Sequence, residues 1–270
     1  MSQRSGYPSD LTDEEWHFTA PYLALIPHDA PQRKHDARAV LNAARYAVKT
    51  GVQWAYLPNE YPPAEIVKAQ LKRWIERGCF ENLVHDLREL LRLQHGKDAQ
   101  PSAVILDSRF AISTPESGAR AAFNRHKAKS GSKLHAAVDT MGSLLAVVVT
   151  AGNVDDRVAV SELCSAVQTL TGERVTTAFV DGGYLGGIAP GAAQTHGIEL
   201  VVVRRPEASR GFVLLPRRWV VERSFAWVTR FRRLARDFER LAVVFAGLHF
   251  LAFGILLLAK LLRGVALPHT

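Results

Sequence analysis

Two short apolar runs in this chain each end on an aspartate. AVILD closes at Asp107, and TTAFVD closes at Asp181 with Gly182-Gly183 directly behind it. Brief apolar runs bounded by turn formers read as buried strands. Strand ends of this kind gather at the carboxyl edge of an open α/β sheet, where ligands bind. On adjacent strands the two carboxylates would stand a few ångström apart and repel, raising one pKa. A divalent cation removes that conflict, and carboxylate plus water is what Mg²⁺ prefers. Taken singly, each aspartate reads as a turn or cap residue; the pair together favours a site. A third acid, Glu222, lies in RRWVVERSFAW, between apolar neighbours in an arginine-rich helix. The plain alternative there is an Arg218–Glu222 surface pair, which contributes little.

The chain around these acids changes character once. Residues 1–95 read as helical. Thr12 and Glu15 form a capping box before one helix, HDARAVLNAARYAVKTG is a second that ends at Gly51, and residues 64–96 make one or two more, interrupted near Gly78. This small all-α unit fits a helix-turn-helix-like DNA-binding domain and, equally, a plain bundle. GKDAQPS, residues 96–102, reads as a linker. From 103 to 270 the order is strand, a hairpin about TMGS, helix, strand, helix or loop, strand, and a long helix over LPRRWVVERSFAWVTRFRRLARDFERL. That order gives an α/β domain with a mixed sheet.

Charge narrows the partners. The net charge is +8 and the pI about 9.7, which attracts polyanions. Eleven arginines fall between 204 and 240, and RHKAKSGSK forms a second basic cluster at 125–133. Guanidinium forks grip phosphates in bidentate fashion, so DNA phosphates are the first candidate and an anionic membrane surface the second. The two cysteines, with no CxxC, speak against a cysteine zinc site and exclude a disulfide framework, and they fit a reducing, cytoplasmic compartment. The ten histidines lack HExxH spacing. Asp139 reads as a turn residue, and Asp155-Asp156 as a helix start. The run 241–260 is long enough to cross a bilayer, but Gly247, His249, Gly254 and Lys260 suit a helix buried in a protein core, and no membrane partner is expected.

These residues carry a family resemblance. From YPSDLTDEEW to about Arg240 the chain resembles the DDE transposases of bacterial insertion sequences, of the insertion-sequence-five type. RKHDARAVLNAARYAVKTGVQWAYLP looks like that family's N-terminal helical domain. AVILDS, GSKLHAAVDTMGSLLAVVVTAGNVDDR, FVDGGY and LPRRWVVERSFAW look like its catalytic blocks. The resemblance implies an RNase H-like mixed sheet flanked by helices, with Asp107, Asp181 and Glu222 as catalytic acids holding two Mg²⁺ ions, with Mn²⁺ as a substitute. It implies metal-dependent cleavage and strand transfer of DNA, a homo-oligomer of at least a dimer on DNA, and a nucleoid-associated protein. The expected DNA contacts are Arg217, Arg218, Arg223, Arg230 and Arg233, with Lys133 and His135 from a neighbouring strand. The Y-x2-R-x3-E-x6-K signature is only partly present, since Leu215 and Thr229 stand where tyrosine and lysine are expected. A nuclease of the same fold that cuts without joining, and a non-enzymatic helix-turn-helix regulator, are the alternatives.

Overall fold

The structure is a computed structural model that describes residues 6–25, 34–184, 186–203 and 218–264. Four helices come first: α1 (Asp13–Leu23), α2 (Ala37–Thr50), α3 (Ala64–Glu76) and α4 (Cys79–Gln94). Their ends follow the local chemistry. Thr12 accepts from the Glu15 N–H at the start of α1, and Asp36 accepts from the Ala39 N–H at the start of α2. Gly51 and Gly78 take left-handed conformations, φ 72° and 66°, which end α2 and separate α3 from α4.

Six strands form one sheet: β1 (Ala103–Ile112), β2 (Ala122–Asn124), β3 (Lys129–Asp139), β4 (Leu144–Ala151), β5 (Thr177–Val180) and β6 (Glu199–Val202). The order is β2-β3-β1-β5-β6, and β4 also pairs with β3. β3 is antiparallel to β1, β2 and β4, whereas β1, β5 and β6 run parallel. Three long antiparallel strands followed by two parallel ones make an RNase H-like sheet. The TMGS hairpin is present: Asp139 accepts from the Met141 and Ser143 N–H groups across the β3–β4 turn.

Alternation along β1 sorts its side chains between two cores. Val104 and Leu106 point to a smaller core under α5 (Val160–Thr171) and α6 (Ala189–Gln194). Ile105 joins the larger core on the opposite face, together with α1–α4, α7 (Arg218–Thr229) and α8 (Ala242–Arg263). The helical unit and the sheet therefore share one apolar interior. Segment 98–100, within the expected linker, is pinned rather than free. Buried Arg88 donates to the Ala99 carbonyl and Gln100 Oε1, and Arg92 donates to the Asp98 carbonyl and to Asp139.

α8 is long and apolar enough to cross a membrane by composition. Here it lies against α4, α3 and β4. Phe245, Leu248, Leu251 and Phe253 are buried, and a Cβ on Gly247 would stand 2.4 Å from Ile75, so α3 and α8 touch backbone to side chain.

The long C-terminal helix expected through Leu241 is shorter. α7 stops at Thr229, and Phe231 is extended. The break lets Phe231 and Leu234 plug the core, a gain of about 1.5–3 kcal/mol for each large apolar side chain. Arg233 thereby lies outside the helix that carries Glu222, in the turn that follows it.

Candidate active site

The register of the two parallel strands brings the aspartates together. β1 and β5 pair Ala103 with Thr177, Val104 with Ala178 and Ile105 with Phe179. The same 74-residue offset carries Asp107 level with Asp181. Ile105 and Phe179 face the larger core, so two residues on, both carboxylates emerge on that same face. One expectation changes. β1 does not end at Asp107 but continues to Ile112, because its other edge stays paired with β3 as far as Ile112–Gly131. Asp107 is thus mid-strand, at the level where its neighbour β5 stops.

Both carboxylates are tied by backbone. Asp107 Oδ1 accepts from the Ser108 N–H at 2.7 Å, and Asp181 Oδ1 accepts from the Gly183 N–H at 2.8 Å. Gly182 and Gly183 do not use positive φ; that falls at Gly186 and Gly187. A Cβ at Gly183 would sit 3.0 Å from Asp181 Oδ1, whereas Gly182 has open space around it. The glycine needed beside the carboxylate is therefore Gly183, for room rather than for a turn.

Glu222 arrives on α7, which packs on β1 through Val220, Val221 and Val228. The β3–β4 turn sets its height. Ser224 Oγ donates to the Gly142 carbonyl and Arg223 Nη2 to the Met141 carbonyl. Gly142 is required there: its φ is +88°, and a Cβ would meet Ser224 Oγ at 2.7 Å. Glu222 itself is exposed. All three acids line one open cleft of about 740 Å³.

The wall of that cleft is basic. The β2–β3 hairpin supplies His126, Lys127 and Lys129, all exposed, and Lys133 stands deeper on β3. Asn124 anchors the hairpin, donating to the Gly152 carbonyl and accepting from the Lys127 N–H.

Residues 98–257, more than half of the 270-residue chain, match the family model described as "Transposase DDE domain". The chain belongs to that family. Residues 11–84 match a second model, "Putative transposase of IS4/5 family". The chain is also 36% identical over 122 residues to a Burkholderia cepacia protein, "Putative transposase for insertion sequence element IS402". That alignment covers 43% of this chain and 57% of the relative, so the chain spans little more than half the length of the curated protein it matches.

Within this transposase DDE domain the expected contacts divide. Arg217 and the side chain of Arg218 lie outside the described residues. Arg230 is exposed. Arg233 is committed inward: Nε donates to Glu239 Oε1 at 2.8 Å, and the guanidinium lies 4.7 Å over the Trp54 ring. Arg223 is wedged between Trp219 and Trp227. His135 is fully buried and bonds Thr150 Oγ1 at 2.8 Å. Burial holds its pKa down at about 4, against opposition from Asp156, so it is a neutral packing residue with no surface to offer DNA. Lys133 Nζ donates to the Val154 carbonyl and to Asp156 Oδ1.

Asp156 is the residue that sequence reasoning passed over. It lines the cleft as a fourth carboxylate and sits 3.8 Å from His135 Nδ1. Its position before a helix gave a sufficient local explanation, and only the pairing of β3 with β4 carries it to the acids.

The donor set suits a hard divalent cation, since it is all oxygen. Among the described residues no three of His, Cys, Asp and Glu stand close enough to hold one ion. The level pair Asp107 and Asp181 still fits Mg²⁺, which usually takes one or two carboxylates, with water and substrate phosphate completing the shell.

Proposed function

We propose that this chain is a transposase that cleaves DNA at the ends of an insertion sequence and joins the freed 3′ ends to target DNA. The observation that carries the reading is the register that sets Asp107 beside Asp181, with Glu222 on α7 across the same cleft. Asp107, Asp181 and Glu222 would hold two Mg²⁺ ions, or Mn²⁺ in their place. Bound there, such ions lower the pKa of water and offset the charge that gathers on a phosphodiester during displacement.

The chain's own residues do the rest. Asp107 and Asp181 are oriented by the Ser108 and Gly183 N–H groups, each of which donates to one carboxylate oxygen. Lys127, Lys129 and Arg230 hold DNA phosphates, and the sequence offers Arg217 and Arg218 as further phosphate contacts. Each such contact releases counterions, so binding weakens as salt rises. The residues 1–95 unit recognises the element's ends, and two copies of the chain, at least, pair the two ends in the cytoplasm on the nucleoid.

The test uses the full chain, a duplex carrying the inverted repeats that flank its gene, and a target plasmid in Mg²⁺. A covalently joined donor–target product is expected. Cut ends without joining indicate a nuclease of the same fold. Binding with neither product indicates a regulator and overturns the reading.

A further inference from the structure

Tyr184 is a buried polar side chain in the cleft that the mechanism above leaves without a task. It is 3% exposed and lines the same cavity as the acids. The DGGY segment turns back in a single 3₁₀ turn, with the Tyr184 N–H donating to the Asp181 carbonyl. The residue belongs to the smaller core, with Leu106, Val180, Ala189 and Ala193. Its hydroxyl is buried and finds no hydrogen-bond partner among the described residues. The groups lining its cleft include Asp107, Asp156 and Asp181, and burial together with these carboxylates raises its pKa. Burial and these acids together hold the phenol protonated, so it is a fixed O–H donor set among acceptors. Phenylalanine would fill the same space without leaving a buried hydroxyl unsatisfied, a state that costs stability.

We propose that Tyr184 is a positioning residue: when a divalent cation and a phosphodiester load the cleft, its hydroxyl donates to the Asp107 carboxylate and fixes which oxygen faces the cation. This rests on the function proposed above. Outer hydrogen bonds of this kind orient a ligand, and their loss typically costs 10- to 100-fold in metal affinity or activity.

The experiment compares the full chain with Tyr184→Phe, using Mn²⁺ alone as probe. Without metal, the variant melts at the same temperature or about 2–4 °C higher, because the unsatisfied hydroxyl is gone. The Mn²⁺ concentration at the midpoint of the metal-induced rise in Tm increases about 10-fold. Mn²⁺-dependent nicking of a supercoiled plasmid falls about 10-fold at limiting metal and recovers at high metal. A chain with 3-fluorotyrosine at 184, which keeps the donor, behaves as wild type. An unchanged Mn²⁺ midpoint, or a metal-free Tm lowered by several degrees, overturns the proposal. Asp181→Asn separates the two levels. If that variant keeps the Mn²⁺ response and the nicking, the acid site itself is wrong. If it loses both while Tyr184→Phe is unaffected, only the role of Tyr184 falls.

Discussion

Replacing Asp237 with asparagine tests how the chain holds α7 in place. Asp237 is fully buried just beyond α7. Its backbone N–H donates to the Ile112 carbonyl and its carbonyl accepts from the Thr114 N–H, clipping it to the end of β1. Its carboxylate takes four donors. Oδ2 accepts from Arg120 Nε at 3.0 Å and from Ser132 Oγ at 2.5 Å; Oδ1 accepts from Arg120 Nη2 at 3.3 Å and the Glu239 N–H at 3.1 Å. Asparagine offers one oxygen and one NH₂, so in either orientation two donors lose their acceptor. One of the two belongs to Arg120, and such a bond is worth about 1.5–3 kcal/mol. The guanidinium also loses its counter-charge in a nearly buried place, which brings the total to about 4 kcal/mol. At about 2–4 °C per kcal/mol, Tm falls by roughly 8–16 °C. Urea or thermal melts of Asp237→Asn, Arg120→Met and the double variant give the coupling directly. A coupling below about 0.5 kcal/mol, or a single variant that melts with the wild type, refutes the reasoning.

Acid should weaken the fold through two buried histidines. His135 and His249 titrate at about 4 in the folded chain because burial disfavours the cation, against about 6.5 unfolded. The unfolded state therefore binds more protons below pH 6.5. Stability is full above that value and is lost as pH falls toward 4, by about 2 kcal/mol for each histidine at pH 5. A Tm that stays flat between pH 7.5 and 5 contradicts this. Gly152→Ala should cost about 3 kcal/mol in a chemical melt, because its Cβ would meet the Gly131 and Ala122 carbonyl oxygens at 2.2 and 2.8 Å, and backbone cannot move aside as a side chain can. A loss under about 0.5 kcal/mol speaks against that crowding.

The placement of Asp107 and Asp181 side by side was legible because strand chemistry is local. The runs before Asp107 and Asp181 are apolar on both faces, as parallel strands buried on both sides should be, and their 74-residue spacing equals the register offset between β1 and β5. The TMGS hairpin and the breaks at Gly51 and Gly78 were likewise written in turn chemistry. What failed was partner choice. Periodicity names a face but not what covers it, so Arg233 read as a DNA contact although it stacks on Trp54, 179 residues earlier in the chain. His135 was expected to reach DNA from its strand, yet it is buried, with β4 beside it and a bond to Thr150. Asp156 had a complete local reading as a helix start. The Arg233–Trp54 contact spans 179 residues and the His135–Thr150 contact 15, so the periodicity of one element does not contain both partners.

The central claim is that Asp107, Asp181 and Glu222 act as one site on DNA. Asp181→Asn tests it most directly, because the amide keeps the shape and the Gly183 N–H contact while removing the charge. The measurement is Mg²⁺-dependent cleavage and joining of the flanking-repeat duplex, with DNA affinity measured on the same preparation. The account predicts that both products disappear while affinity stays within a few-fold of wild type. Undiminished joining by the variant contradicts it.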